Sequence, residues 1–217
     1  MTLDYQTLKE QHRKIRESQP DDVKLKIHRA LSWLKAAESQ EQSDTKYLLL
    51  WIAFNAIYSR EFEQEKFRGE KSLYNNFISK LVKLDKDNLI YKIVWDNYSG
   101  HYRVFIENRF VFRKFWDFVD EKTSEQEWKD KFEKEKKSAS IYLVKKDTAN
   151  FLSILFDRLY ILRNQLMHGG ATFESKINRA QIRDGLHILE QIVPIIIQIV
   201  MDNSQEEWGS PSFLPVR

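Results

Sequence analysis

Between residues 152 and 166 leucine returns at Leu152, Leu155, Leu159, Leu162 and Leu166, spacings of three and four that place all five on one side of an α-helix. A strand would need a period of two, so this stretch can bury its apolar surface only as a helix. Gly169-Gly170 follows, a signal that ends a helix. The same helical period governs nearly every other apolar segment, and 217 residues contain only 6 Gly and 4 Pro. The many turns of a sandwich or barrel need more breakers than that, so the chain is expected to be all-α with long helices.

One large domain is expected over residues 1–217. A polar amphipathic helix over 2–18 stops before Pro20. A second, with Val23, Ile27, Ala30, Leu31 and Leu34 on one side, is capped by Asp21-Asp22 and runs to about Glu38. Ser43-Asp44 starts a third that is apolar on every side except at Asn55, the pattern of a helix at the centre of a bundle. A charged loop near Arg68-Gly69-Glu70 leads to a helix through Leu73, Phe77, Leu81 and Leu84, then another over 87–97. Residues 121–137 alternate Glu and Lys, as an exposed helix held by pairs four apart does. The leucine-striped helix spans 147–168. The last helix, about 178–202, contains Pro194, and residues 203–217 carry Trp208 and Phe213 with three breakers, so they are expected to dock as an extended tail.

The chain has no cysteine, which excludes disulfides, thiolate catalysis and cysteine-based zinc sites. His12 and His28 lack partners at metal spacing and read as surface or core-edge residues; no metal and no cofactor are expected. The first residues are charged without an apolar run, unlike a signal peptide, and the apolar runs at 47–54 and 192–200 are short of a membrane span. The expected location is the cytoplasm, with no membrane partner. A net charge of +3 is too small to indicate nucleic acid by itself, so any such attraction must come from local patches.

On the leucine-striped helix, Asp157, Asn164 and His168 share the side opposite the leucines, with Tyr160 beside them. Ile154 and Ile161 lie there too, so that side mixes polar and apolar groups, as a cleft-lining or partner-facing surface would. Arg163 sits at the edge of the stripe alongside Phe156 and Met167, where a guanidinium needs a long reach outward or a buried partner. An arginine and a histidine five apart are a common coincidence; the residues around them add the weight.

Arg163-Asn164, three residues, then His168-Gly169 resembles the RN-x3-H motif of HEPN domains, all-α modules of prokaryotic toxin, defence and RNA-processing systems. Trp51-Ile52-Ala53-Phe54-Asn55-Ala56-Ile57-Tyr58 resembles a helix of the Apea-like branch, and Asn178-Arg179, Arg183-Asp184-Gly185, Trp208-Gly209 and Pro215-Val216 also look like that branch. The likeness covers about residues 43–217. It implies a HEPN-type helical bundle, with its core over about 43–202 and extra N-terminal and peripheral helices. It also implies a metal-independent endoribonuclease whose paired motifs meet at a dimer interface, in a toxin–antitoxin or antiviral setting with an antitoxin or defence partner.

The residue types suit that chemistry. RNA carries its own nucleophile, the 2′-hydroxyl, so an enzyme need only move protons and stabilise charge on phosphorus. His168 can exchange a proton near neutral pH, Arg163 stays charged and can hold two phosphate oxygens, and Asn164 would position phosphate or imidazole. Asp157 and Tyr160 are expected to orient His168 or hold an interface, and Asn55 either ties helices together or orients Arg163 across the bundle. One imidazole leaves either acid or base unfilled; a two-fold axis along the 157–168 face would supply a second, so a homodimer is expected. Between 98 and 119, Arg103, Arg109, Arg113 and Lys114 interleave with aromatics and could grip single-stranded RNA, but the stronger reading makes Phe105, Phe112, Phe115, Trp116 and Val119 core and the bases a solvated face. The competing reading is a non-catalytic interaction or nucleotide- or RNA-binding module, or a purely structural helical dimer.

Overall fold

A computed structural model describes residues 3–58 and 70–213, with the side chains of 70–74 left aside. The expected loop at Arg68-Gly69, the side chain of Leu73 and the end of the tail at Pro215-Val216 lie outside the described residues. The protein is all-α, and its described residues form no strand. Its helices are α1 (Tyr5–Ile15), α2 (Asp21–Glu38), α3 (Ser43–Tyr58), α4 (Glu70–Leu84), α5 (Leu89–Asn97), α6 (Arg103–Ile106), α7 (Arg113–Val119), α8 (Glu125–Val144), α9 (Thr148–Met167) and α10 (Arg179–Asp202). Between α5 and α6 the chain kinks at Tyr98–Tyr102, where Gly100 leaves the helical region at φ −100° and ψ −121°, and between α6 and α7 it makes a 3-10 turn at Arg109–Val111. The contacts divide the chain into two compact units, Met1–Asp87 with Leu189–Arg217, and Asn88–Ile188.

In the first unit, α1 and α3 both pack against α2. Ile27, Ala30, Leu31 and Leu34 of α2 are buried together with Leu50, Phe54 and Ile57 of α3 and Ile192, Ile196 and Val200 of α10. Pro20 occupies the N-cap of α2, so Asp21 and Asp22 are its first two helical residues rather than caps, and they act through the positive end of the helix dipole. Lys26, on the apolar side of α2, is fully buried. Its ammonium donates to the Ile57 carbonyl at 3.2 Å and the Trp208 carbonyl at 3.3 Å, joining three segments of the chain through one cation. The tail docks as an extended strap: Trp208 is buried against Phe77, and Arg29 donates to the Ser212 and Phe213 carbonyls at 2.7 and 2.6 Å. Among the described residues α10 is long and apolar enough to cross a membrane, but 72% of that window is buried inside the protein, the signature of a core helix.

In the second unit α8 and α9 pack side by side, joined at residues 145–147 with Lys146 in the left-handed region at φ 57°. Asp147 caps α9 by accepting from the Asn150 amide. The Glu/Lys pattern of α8 is realised as Lys129–Glu125 and Lys131–Glu127 ion pairs, both 2.6 Å and four residues apart. They are exposed, so they add little stability and mainly keep that face wet. Trp128 and Phe132 on the other face of α8 join Phe112, Phe115 and Phe118 in an aromatic cluster, while α6 and the 109–111 turn pack on α9.

Of the two places expected for His12, surface or core edge, the structure takes the inner one: the residue is 2% exposed, and neither ring nitrogen meets a hydrogen-bond partner among the described residues. Burial above all, with the charge of Lys9, pulls it down to about 4, against the opposing influence of Gln19. An unfolded chain protonates this imidazole near 6.5, so between about pH 6.5 and about 4 the unfolded state binds more protons and stability must fall as pH drops, by at most about 1.4 kcal/mol per pH unit. Urea denaturation at neutral pH and near pH 5 should show that loss for the native chain and a smaller one for His12→Gln. An equal loss in both would show that His12 does not cause it.

Candidate functional site

The site is set by what α9 buries. Leu152, Leu155, Leu159 and Leu162 are at most 1% exposed, and Phe151, Phe156 and Ile161 are buried beside them. Leu166 is only half-buried, because the helix leaves its packing in the last turn. His168 occupies the C-cap, its amide donating to the Asn164 carbonyl at 3.0 Å, and Gly169 follows in the left-handed region at φ 71°. A Cβ on Gly170 would come within 3.2 Å of the Gln165 carbonyl oxygen, a tight contact, while the positive φ of Gly169 is what favours glycine at the stop.

Arg163, Asn164 and His168 therefore come together on the last turn and first residue beyond it. Arg163 is half-buried, and its Nη1 donates to Asn164 Oδ1 at 2.9 Å. Its partner is thus the next residue in the chain. Its Nε is buried without a hydrogen-bond partner, a deficit of roughly 1–3 kcal/mol that an oxyanion or water would relieve. His168 is exposed to solvent. Gln165, between them, donates from Nε2 to the Phe110 carbonyl at 2.6 Å, and Trp116 Nε1 donates to the same oxygen at 2.8 Å, so the 109–116 segment is fastened to the last turn of α9. Asp157 and Tyr160 are half-buried on the same helix. Asn55 is half-buried on α3 of the first unit, whereas the motif belongs to the second.

The most deeply buried cation of α9 is not Arg163 but Arg158, which the sequence reading passed over. It is 2% exposed, stacked 4.2 Å from the centroid of Phe112 and 5.7 Å from that of Phe132. Its Nη2 lies 3.0 Å from Glu135 Oε2 of α8, an ion-pair distance whose angles fall short of a hydrogen bond. Burial pulls this guanidinium below its usual range, and the charges of Glu135 and Asp157 oppose the pull. Arg158 falls three residues after Leu155 and four before Leu162, squarely on the apolar side, and that position was the readable signal. Its partner, on another helix, was not.

A second polar cluster in the same unit also escaped the sequence. His101 Nδ1 lies 2.6 Å from Asp184 Oδ1, and Arg183 Nε donates to the same oxygen at 2.9 Å. The Asp184 side chain is 1% exposed, His101 is 38% exposed, and the ring of His187 lies 4.2 Å from that of His101. His101 and Asp184 are 83 residues apart, beyond the reach of any local pattern.

The aromatic and basic stretch 98–119 divides. Phe105 and Phe112 are core and Phe115 is half-buried, but Trp116 and Val119 are exposed at 37% and 51%, correcting their assignment to the core. The 109–119 segment packs against α8 and α9 along one edge only, which leaves those two outside. Arg109 lies over the rings of Phe110 and Phe115 at 4.9 and 5.4 Å, and Lys114 pairs with Asp117 at 2.9 Å, which holds its ammonium above the usual lysine range. Arg103 and Arg113 are exposed. All four cations remain on the surface of the second unit.

Comparison with family models, with curated protein sequences and with solved structures finds no match for this chain.

The Arg158 site yields a stability prediction. Arg158→Ala removes a buried stem, two ring contacts and an ion pair, and should lower the free energy of unfolding by about 3 kcal/mol. Glu135→Ala should cost about 1 kcal/mol, because water reaches the carboxylate and screens its loss. Chemical denaturation measures both, and an Arg158→Ala cost below that of Glu135→Ala would refute the assignment.

Proposed function

We propose that this chain is a metal-independent endoribonuclease of the HEPN type, acting in the cytoplasm in a toxin–antitoxin or antiviral defence role. The observation that carries the reading is the last turn of α9, where a permanent cation with a buried, unpartnered donor stands one turn from a solvent-facing imidazole, joined by Asn164. Neither group is sealed in the core. A phosphodiester resting on Arg163 would present its 2′-hydroxyl and leaving oxygen within the sphere of His168, and Arg163 would hold the charge that grows on the phosphoryl oxygens. Asn164, fixed by Arg163, would position either partner. Arg103, Arg109, Arg113 and Lys114, on the surface of the same unit, would attract the rest of an RNA strand.

The same end of α9 supports a homodimer. Met167, Phe173 and Ile177 bracket His168 in sequence and are 52%, 60% and 74% exposed. An apolar rim of this kind is what a second copy would cover, bringing two motifs together. The rim equally suits a non-catalytic interaction module, which is the alternative reading.

Incubation of the purified chain with mixed RNA in excess chelator should give fragments ending in 2′,3′-cyclic phosphate and leave DNA intact. Arg163→Ala and His168→Ala should each lower the rate at least about 100-fold. Cleavage by these variants at the native rate would remove the nuclease reading and leave the interaction module. Sedimentation should show a dimer for the native chain and a monomer for Phe173→Asp with Ile177→Asp. A native monomer across the micromolar range would remove the dimer.

A further inference from the structure

Where α1 gives way to α2, one face of each helix meets the other across a groove. Lys9, His12 and Arg16 recur at spacings of three and four, so they share a side of α1 and of the 3-10 turn Arg16–Ser18 that continues it. Lys24, Leu25 and His28 share a side of α2 in the same way. The two helices pack together, and these six residues, with Glu17 and Asp21, line an open groove of about 320 Å³. Small-molecule sites run to roughly 300–1,000 Å³, so the groove can hold one.

Its chemistry favours an anion. His12 is a wall of the groove and is 2% exposed, yet both its ring nitrogens are without a hydrogen-bond partner among the described residues. Gln19 is near it, but the Gln19 Oε1 is likewise buried without a partner, and Nε2 is turned to the Met201 carbonyl. A buried imidazole ordinarily engages its donor and its acceptor, so this ring lacks a partner that a ligand would supply. Lys9 is half-buried and meets no carboxylate among the described residues. Burial, then the charges of Arg13 and Arg16, hold its ammonium below the usual lysine range. An anion seated among these cations would relieve their repulsion. The start of α2 adds donors: Pro20 is its N-cap and supplies no side-chain acceptor, so the first amides of an 18-residue helix are uncapped beside the groove.

Glu17 and Asp21 work against an anion, but each is answered locally, Glu17 by Arg16 at 2.9 Å and Asp21 by Lys24 at 3.1 Å. Their side chains are 80% and 97% exposed, so water screens them strongly. A metal ion does not suit the groove, since no three His, Asp or Glu side chains among the described residues are grouped to hold one.

We infer that this groove binds the phosphate group of a small molecule, gripped by Lys9 and Arg16 from α1 and its turn, by Lys24 and the first amides of α2, and by an N–H of His12. A phosphate presents oxygens in several directions at once, and Arg16 can hold two of them. Leu25 and the His28 ring offer surface to whatever carries the phosphate. The inference does not rest on the nuclease reading: its residues lie between 9 and 28 in the first unit, whereas the motif belongs to the second.

Titration calorimetry on the full chain tests it, with inorganic phosphate and with adenosine 5′-monophosphate as probes in chloride buffer of fixed ionic strength. Phosphate should bind at one site with a Kd of about 1 mM or below, and adenosine should not bind. A tighter nucleotide marks an organic phosphate as the ligand, and an equal or weaker one marks free phosphate. Lys9→Gln and Arg16→Gln should each weaken binding about 10-fold or more. Glu17→Gln with Asp21→Asn should instead tighten it, a gain that a misfolded chain cannot produce. Arg163→Ala should bind as the native chain does. The groove is overturned by silence of both probes up to about 10 mM, by native affinity in Lys9→Gln and Arg16→Gln, or by adenosine binding as tightly as its phosphate. Loss of binding in Arg163→Ala alone would also overturn it, by moving the phosphate to α9.

Discussion

The rotational setting of α9 is the constraint on which the motif depends. A helix with four leucines at most 1% exposed and a guanidinium 2% exposed among them has a single orientation in which all of them are covered. Turning it by one residue, about 100°, would drive Arg158 off Phe112 and Glu135 and bring Asn164 toward the core. The buried arginine sharpens this selection. Leucines tolerate small rotations because apolar contact is non-directional, whereas a buried cation between a carboxylate and two ring faces does not. Arg158 thus acts on Arg163 and His168 without touching them, by fixing which way the last turn faces.

Lys26 plays the corresponding part in the first unit. A fully buried ammonium must find acceptors, and among those of Lys26 are main-chain oxygens from segments far apart in sequence, Ile57 of α3 and Trp208 of the tail. The tail could not be held so by apolar contact alone, since it has no regular structure to satisfy its own carbonyls. Lys26, Arg29 and Lys80 each accept that role, Lys80 through the Glu207 carbonyl at 2.7 Å.

What could be read from the chain follows the range of the interaction. The leucine period, the start of α9 at Asp147-Thr148, the Gly169-Gly170 stop and the docking of Trp208 rest on neighbours in sequence or on the cost of exposing a large ring, and these were legible. The helix carrying Arg163, Asn164 and His168 was placed to within a residue at each end. Three features were not legible: the burial of His12, the Arg158–Glu135 pair and the His101–Asp184 pair. Each depends on a partner brought up by packing, and a lone Lys, Arg or His on an apolar face gives no sign of which residue will answer it. The exposure of Trp116 and Val119 is the converse error, in which helical period suggested burial and no element arrived to cover them.

The two pairs differ in a way that bears on what each can do. Arg158 has its charge partner on the wet side and rings on the other, so nothing about it can change without loss of packing, and it is suited to hold and not to react. His101 has the reverse arrangement: its carboxylate partner is on the dry side, 1% exposed, and the imidazole is 38% exposed. The Asp184 carboxylate also accepts from Arg183 Nε at 2.9 Å, so it meets a cation and an imidazole at one oxygen. The two pairs thus divide by which member the fold covers, the cation Arg158 in one and the anion Asp184 in the other.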